Sequence, residues 1–373
     1  MQRFLIAKLI IGLIFLTGMN SLKAQSIVEG SVVDEQTGEP LHGAHVFLSG
    51  TRLGTATNPA GRFQIQNIPP GSYRLVVSMI GFDRSYQQVS LSRGEIAQIN
   101  AELEPVTYNL GEIYAGDLDE RWEKDLDRFT QLFIGESQVA DSVEILNPEV
   151  LRFRTRWWGK FTAEALAPLQ IVNYSLGYEV TFYLDEFIHT GTRTRWDGEP
   201  FYTEMIPSNP RQAEFWSQNR EKSFNGSIRH FLISVIENRI EEDGFTMYLQ
   251  RGDIQGFSPR NRFRISPARI LKKTDEDHIY HIQYSGRLEI IYDEEEDPRY
   301  VQSDPQIRRR PASVQTSYIE LNTRPITVDN DGEIEEPYGA TRMGYFAFHR
   351  IADRTPRDYR PEGFQEMVNP EGS

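Results

Sequence analysis

From residue 27 to residue 103 the chain alternates apolar and polar positions in short runs, with Gly, Pro, Asn and Asp between them. Alternation with a period of two is typical of strands that have one buried face. The runs predict strands at 27–33, 44–48, 61–65, 73–78, 86–91 and 97–103. Since no stretch here has the spacing of an amphipathic helix, we predict an all-β sandwich.

The pattern changes beyond residue 118. Apolar residues at 122, 126, 129 and 133 have the spacing of one helix face, which Asp119 would cap. Further helices are predicted at 210–224 and 228–240, with Ser227 as the N-cap of the latter. Alternation predicts strands at 151–157, 161–165, 169–173, 178–187, 192–203, 245–249, 278–284, 287–292, 316–321 and 345–349. This order predicts an α+β domain with mainly antiparallel strands.

The N-terminal segment has the features of a secretory signal peptide. Arg3 and Lys8 precede an apolar run from Leu9 to Leu16, and the small residue Ala24 stands just before the expected cleavage site. The run is shorter than the roughly 20 residues that cross a bilayer, so we predict export without a transmembrane span. We divide the chain into a signal peptide (1–24), a sandwich (26–104), a linker (105–117), an α+β domain (118–350) and a polar C-terminal tail (351–373).

Composition excludes several classes of function. The chain has 54 acidic and 40 basic residues, a net charge of −14, which disfavours nucleic acid as a partner. It has no cysteine, which excludes disulfides, Cys-ligated metals and thiol nucleophiles. Hydrophobic residues make up 39% and aromatic residues 12%, so the chain is expected to fold.

A series of motifs follows the strands and turns of the sandwich. They are Gly30-x-Val32-x-Asp34, Thr37-Gly38-Glu39-Pro40-Leu41-x-Gly43-Ala44, Gly61-x-Phe63, Pro69-x-Gly71-x-Tyr73 and Ser78-x-Ile80-Gly81-Phe82. The series resembles the carboxypeptidase-like regulatory domain. The resemblance implies a transthyretin-like (prealbumin/Ig-like) β-sandwich with a non-catalytic role in folding or interaction. That family occurs in many exported bacterial proteins, often ahead of a TonB-dependent outer-membrane transporter.

The second region carries motifs of its own. They include Ile134-Gly135-Glu136-Ser137, Leu176-Gly177-Tyr178, Phe215-Trp216-x-x-Asn219-Arg220 and Gly226-Ser227-x-Arg229-His230-Phe231-Leu232. These resemble a region that follows the regulatory module in uncharacterised exported bacterial proteins. The resemblance implies no known activity.

The histidines do not form the site of a zinc carboxypeptidase. Such a site needs His-x-x-Glu and a distant His, and none of the seven histidines is followed by Glu at the third position. We expect His42 and His45 to be surface residues. His278 and His281 stand three positions apart, so on a strand they would face opposite sides and could not share a metal ion.

Other groups of polar residues have an ordinary structural interpretation. Ser227, Arg229 and His230 lie at a helix start, where capping and packing are favoured over a catalytic dyad. Glu179 and Asp185 are a chance carboxylate pair unless a structure gives them the separation of a glycosidase. The 329–333 segment, Asp-Asn-Asp-Gly-Glu, looks like a calcium loop but lacks the EF-hand spacing, so we expect a solvated turn.

Three further features have weak functional meaning on their own. The acidic run 293–297 and the basic run 308–310 are expected in one mobile charged loop. The Arg-Gly-Asp tripeptide at 251–253 is a chance match. Trp157, Trp158, Trp196 and Trp216 could stack on sugar rings, but packing in the core is favoured.

The sequence therefore assigns no catalytic, cofactor-binding or metal-binding residue and no cofactor. It favours an exported, non-catalytic binding or assembly protein of the bacterial cell envelope, located in the periplasm or at the outer membrane. The expected partner is an envelope protein or a polysaccharide or peptide ligand. The alternative is an envelope hydrolase, a peptidase or glycosidase, with unrecognised catalytic residues.

Overall fold

A computed structural model describes residues 26–106, 120–252, 261–303, 314–362 and 364. Several predicted features lie outside the described residues: the signal peptide, most of the linker 105–117, the cap at Asp119, Asp253 of the tripeptide and the basic run 308–310. The chain outside those gaps forms a sandwich followed by two further sheet-based layers.

The N-terminal strands form the predicted sandwich. They are β1 (Ser26–Asp34), β2 (His45–Leu48), β3 (Gly54–Ala56), β4 (Arg62–Ile68), β5 (Gly71–Ser78), β6 (Ser85–Leu91) and β7 (Ile96–Leu103). One sheet has the order β4-β1-β7, in which β1 and β7 run parallel, and the other has the order β3-β2-β5-β6. The buried residues of alternate positions pack between the sheets, including Val28, Val46, Phe63, Leu75 and Leu103. The all-β prediction is confirmed, and only the short β3 was missed.

The next layer is a six-stranded antiparallel sheet covered by a helix. The helix is α1 (Glu120–Phe133), and the strands are β8 (Val143–Ile145), β9 (Leu151–Thr155), β10 (Phe161–Ala165), β11 (Leu169–Asn173), β12 (Tyr178–Thr190) and β13 (Arg193–Glu204). The apolar face of α1 packs against the sheet, as the sequence predicts. Phe129 and Phe133 are fully buried and pack edge-on against Phe187 and Phe182 of β12.

The last layer contains most of the remaining elements. They are α2 (Pro210–Phe224), α3 (Ile228–Ile236), β14 (Phe245–Gln250), β15 (Arg262–Arg264), β16 (Leu271–Lys273), β17 (Ile279–Ile282), β18 (Arg287–Glu295), α4 (Pro298–Ser303), β19 (Val314–Leu321), β20 (Ile326–Asp329), β21 (Ala340–Gly344) and α5 (Tyr345–Phe348). Helix α3 packs its apolar side onto the antiparallel sheets β15-β14-β18-β19-β21 and β16-β17-β20. The predicted fold class, an α+β region with mainly antiparallel strands, is confirmed.

Three predicted elements differ in the structure. The strand expected at 345–349 is the short helix α5, because Gly344 turns the chain at φ +68° and the Phe346 N–H then donates to Ser317 Oγ at 3.0 Å. The helix expected at 228–240 ends at Ile236. The acidic run does not form a mobile loop, because β18 continues to Glu295 and Glu296 is buried.

The segment 351–362, which the sequence assigns to a polar tail, packs into the molecule. Ile351 and Ala352 join the core beneath α1, and the Asn173 side-chain amide donates to the Ala352 carbonyl at 2.9 Å. Arg357 is buried farther along. The polar side chains of this segment are therefore used inside the protein, which hydrophobicity patterns do not reveal.

Candidate binding cleft

An aromatic contact holds the sandwich against the six-stranded sheet. Phe47 of β2 stacks on Tyr183 of β12 with ring centroids 5.3 Å apart, and Phe201 of β13 lies 5.4 Å from Phe47. His45 lies in the same contact, with its Nδ1 3.1 Å from the Tyr183 hydroxyl, and burial lowers its pKa. The prediction that His45 is a surface residue is wrong, because strand β2 turns that side chain toward the neighbouring layer. His42 is exposed as predicted.

Backbone and charge contacts extend this interface. The Gly50 N–H donates to the Pro200 carbonyl at 2.7 Å, and the Tyr202 N–H donates to the Thr51 carbonyl at 3.0 Å. Arg74 of β5 pairs with the buried carboxylate of Glu199 at 2.6 Å. Because these contacts combine ring packing, main-chain hydrogen bonds and an ion pair, the sandwich has a defined position on β13.

Asp329 and Gly332 of the 329–333 turn are buried and its other residues are half-buried, so the prediction of a solvated turn is wrong. Asp329 is 2% exposed, and its Oδ1 accepts hydrogen bonds from the N–H groups of Asp331 and Glu333 at 2.9 and 3.0 Å. Its other oxygen lies 2.6 Å from Nη2 of Arg357. The 329–333 turn therefore binds the guanidinium of Arg357, which lies in the segment that the sequence assigns to a polar tail.

Arg229 fixes the same segment from the start of α3. Its guanidinium donates to the carbonyls of Asp331 at 3.1 Å, Pro356 at 2.7 Å and Arg357 at 3.1 Å, and also to the Tyr359 carbonyl. Arg229 is therefore a structural residue. Ser227 caps α3 as predicted, because its Oγ accepts the His230 N–H at 3.1 Å.

His230 packs in the core beside this helix. Its Nδ1 accepts the Gly226 N–H at 3.1 Å, and its Nε2 lies 3.9 Å from the Asp243 carboxylate. Burial lowers the pKa of His230 to about 4, in spite of the attraction of Asp243. The Ser227 hydroxyl is directed to the helix N-terminus, so Ser227 and His230 do not form a nucleophile and base.

The other residue pairs considered from the sequence do not meet. Glu179 and Asp185 are six residues apart on β12, which is about 20 Å at the rise of an extended strand, and Asp185 pairs with Arg84 at 2.6 Å. That separation is too long for a glycosidase pair. His278 precedes β17, in which His281 lies. In the described ranges, no three His, Asp or Glu side chains are grouped as metal ligands.

A cleft of about 1940 Å³ opens where the three layers meet. The sandwich contributes Ser49, Gly50, Ser72, Arg74 and Gln88. The six-stranded sheet contributes the turn and start of β13, including Arg195 and Trp196. The last layer contributes most of the residues between Asp329 and Arg342 and between Phe346 and Arg357. The Asp329–Arg357 pair lies in the wall of the cleft and joins the last layer to the sandwich, because Arg357 also donates to the Ser72 carbonyl at 2.7 Å.

Arginines line one side of the cleft without carboxylate partners. Neither Arg342 nor Arg354 has a side-chain hydrogen bond or an ion pair within 4.0 Å in the part of the chain that the structure describes. Arg350 lies over the Trp196 ring, 5.2 Å from its centroid. Burial and the neighbouring guanidinium of Arg354 lower the pKa of Arg342 to about 10, and Arg350 acts in the same direction.

A hairpin tip places two tryptophans in solvent at the edge of the cleft. Between β9 and β10, the Arg156 N–H donates to the Lys160 carbonyl at 2.8 Å, and Gly159 adopts φ +85°. Trp157 and Trp158 occupy the corner of this turn and are 93% and 55% exposed. The expectation that all four considered tryptophans pack in the core is therefore wrong for these two. Trp216 is buried, and Trp196 is half-buried.

Sequence reasoning considered the tryptophans but missed the arginines of the cleft. Arg342, Arg350 and Arg354 are isolated in the sequence and form no basic run. Their meeting depends on α5 and on the packed segment after residue 350, neither of which was predicted. The one available signal was the number of arginines near the C-terminus of an otherwise acidic chain.

A family model described as the CarboxypepD_reg-like domain matches residues 28–114. This confirms the resemblance found in the sandwich motifs. A curated relative, the TonB-dependent receptor P39 of Formosa agariphila, is 34% identical over 86 residues, which are 23% of this chain and 8% of the relative. This chain therefore matches a small part of that receptor's length.

Two solved structures illustrate a distant likeness that covers part of this chain. The pilus 2b backbone protein of group B streptococcus is 18% identical, with a TM-score of 0.19, over 22% of this chain and 41% of its own. Catechol 1,2-dioxygenase from Acinetobacter sp. ADP1 is 11% identical, with a TM-score of 0.20, over 24% and 55%. None of the helices within the described ranges has both the length and the apolar character needed to cross a membrane.

Proposed function

We propose that this chain is an exported, non-catalytic binding or assembly protein of the bacterial cell envelope. In this proposal the carboxypeptidase-like regulatory sandwich is a fixed interaction module, and the tip formed by Trp157 and Trp158 contacts an envelope protein. The cleft beside the tip receives a ligand. The family match and the relative named as a TonB-dependent receptor support the envelope assignment.

The exposed tryptophan pair carries the proposal. The two rings are in edge-to-face contact, with centroids 5.5 Å apart, and Arg156 lies 5.8 Å from the Trp158 ring centroid. Large aromatic side chains and arginine are enriched at protein interfaces, where they supply much of the binding energy. A short turn that holds two such rings in water loses no packing when it binds, so the tip is suited to recognition.

The alternative, an envelope hydrolase, has no support in the geometry of the considered residues. Ser227 is a helix cap, His230 is buried and accepts a backbone hydrogen bond, and Glu179 and Asp185 are too far apart. Arg229, which lies between Ser227 and His230 in the sequence, donates hydrogen bonds to backbone carbonyls. Ser227, Arg229 and His230 therefore have structural roles.

The test is co-purification from intact cells. A tagged protein is cross-linked in cells, the envelope is fractionated, and the recovered proteins are identified. We expect stoichiometric recovery of an envelope protein, and we expect the Trp157→Ser/Trp158→Ser variant to lose it. Ile206→Ser is the matched control, because Ile206 is also an isolated apolar side chain, 91% exposed. Recovery of no partner, or equal recovery with both variants, would overturn the proposal.

A further inference from the structure

On the arginine-lined side of the cleft, Arg342 and Arg354 form no ion pair within 4.0 Å with any described residue. Arg342 and Arg354 face the same cavity and repel each other, as the lowered pKa of Arg342 indicates. Placing charged groups near one another in a partly desolvated site is costly unless an opposite charge is present. An anion bound between the two guanidinium groups would offset that cost.

The carboxylates of the cleft do not supply that anion, because most are already engaged. Glu199 pairs with Arg74 at 2.6 Å, and Asp329 pairs with Arg357 at 2.6 Å. Glu336 accepts from the Thr327 hydroxyl at 2.8 Å, and Asp353 accepts from the Arg350 N–H at 3.1 Å. Glu333 attracts Arg342 but forms no ion pair with it within 4.0 Å.

We propose that the cleft binds an oxyanion, a phosphate or carboxylate group of a larger ligand, between Arg342 and Arg354. This inference rests on the proposed binding function and names the ligand class for the cleft. A guanidinium presents a planar set of donors that matches two oxygens of a phosphate or carboxylate, so two of them form a strong anion site.

The dimensions and lining of the cleft indicate that the anion belongs to a larger molecule. Its volume of about 1940 Å³ exceeds the roughly 300–1,000 Å³ of an ordinary small-molecule pocket. Trp196 lies beside the anion site under Arg350, and Phe348 also lines the cleft. These rings supply apolar surface for the uncharged part of the ligand.

The test is isothermal titration of the purified protein with pyrophosphate, glucuronate and neutral glucose at constant ionic strength. We expect one or both anions to bind and glucose alone not to bind at the same concentration. The phosphate and carboxylate arms identify which oxyanion is preferred. Arg342→Gln is expected to weaken the anion affinity about tenfold or more, since it removes a charge-assisted contact. Arg211→Gln, which alters an exposed arginine of α2 that does not line the cleft, is expected to leave the anion affinity within about twofold.

Thermal unfolding without ligand separates binding from folding. Because Arg342 has no partner among the described residues, Arg342→Gln is expected to keep or raise the Tm of the free protein. Absence of anion binding by the unaltered protein, an unchanged affinity in Arg342→Gln, or a lowered Tm of that free variant would each overturn the inference. A protein that keeps its envelope partner but binds neither anion overturns this inference alone and leaves the proposed function standing.

Discussion

The carboxylate of Asp329 and the guanidinium of Arg357 form a buried ion pair of 2.6 Å. The same Nη2 donates to the Ser72 carbonyl of the sandwich at 2.7 Å, and the guanidinium lies 4.7 Å from the Tyr73 ring centroid. One side chain near the C-terminus therefore joins strand β20, the sandwich and the last segment of the chain. The position of the cleft walls depends on this pair.

Removal of Arg357 is expected to destabilise the protein strongly. Arg357→Met keeps most of the side-chain length but leaves Asp329 buried without its cation, which costs about 3–5 kcal/mol in the free energy of unfolding. Urea denaturation measures this change. Arg193→Met is the control and is expected to stay within about 0.5 kcal/mol.

The double variant Arg357→Met/Asp329→Leu tests the cause of that loss. Because it removes both charges, it should recover part of the stability lost in Arg357→Met. A cost of less than about 1 kcal/mol for Arg357→Met alone would contradict the assigned role of the pair.

The aromatic interface between the layers leaves no room for a side chain at Gly54. A Cβ there would lie 2.8 Å from Phe47 Cβ and from the Phe201 ring. Gly54→Ala is therefore expected to lower stability by about 1–3 kcal/mol through overpacking, measured by thermal denaturation. Ala56→Ser on the exposed end of the same strand should change little, and equal melting temperatures for the two variants would refute this description of the interface.

Because His230 is buried and its pKa is lowered, we expect the free energy of unfolding to depend on pH. Its native pKa of about 4 lies below its ordinary value of 6.5, so the unfolded chain binds the proton more readily than the native protein. The free energy of unfolding has its full value, as far as His230 is concerned, above about pH 6.5. It falls by up to about 3 kcal/mol as the pH decreases toward 4.

The measurement compares unfolding free energies at several pH values between the unaltered protein and His230→Gln. Carboxylates titrate in the same range, but they do so in both proteins, so the difference isolates His230. We expect a shallower loss of stability in His230→Gln than in the control His281→Gln. Parallel curves for all three proteins would show that His230 does not contribute.

The exposed tip makes a prediction about fluorescence. Trp157 is 93% exposed, whereas Trp216 is buried. Acrylamide should therefore quench the emission of the native protein in two components, and Trp157→Ser/Trp158→Ser should remove most of the readily quenched one. Since neither tryptophan belongs to a hydrophobic core among the described residues, the variant should retain its stability within about 0.5 kcal/mol. Persistence of that component would place the two rings elsewhere.

The pattern of apolar and polar residues in the sequence correctly predicted the strands and helices whose side chains face one continuous core. The alternation of β1 and β12, the apolar run of β5 and the spacing of Phe129 and Phe133 predicted strands and a helix close to the observed bounds. Short strands such as β3 and β16 have too few residues for a period to appear. Tyr345 to His349 looked like a strand because its residues are apolar, while Gly344 and the Ser317 contact decide the helix.

The cleft could not be predicted because its residues meet through tertiary contacts between distant segments. The oxygen-rich turn at 329–333 was visible in the sequence, but its cation is Arg357, which no spacing rule associates with it. Arg342 and Arg354 are likewise brought together by packing after residue 344. Exposure of Trp157 follows from a tight turn at Gly159, whereas composition alone favoured a buried aromatic residue.

The most direct test of the proposed binding function is photo-cross-linking from the tip in living cells. A photoreactive amino acid replaces Trp157 in one strain and Ile206 in another, and the envelope fraction is examined after irradiation. The account predicts a discrete adduct with one envelope protein from position 157 and none from position 206. Adducts of equal yield from both positions, or none from position 157 while the protein is present and folded, would contradict it.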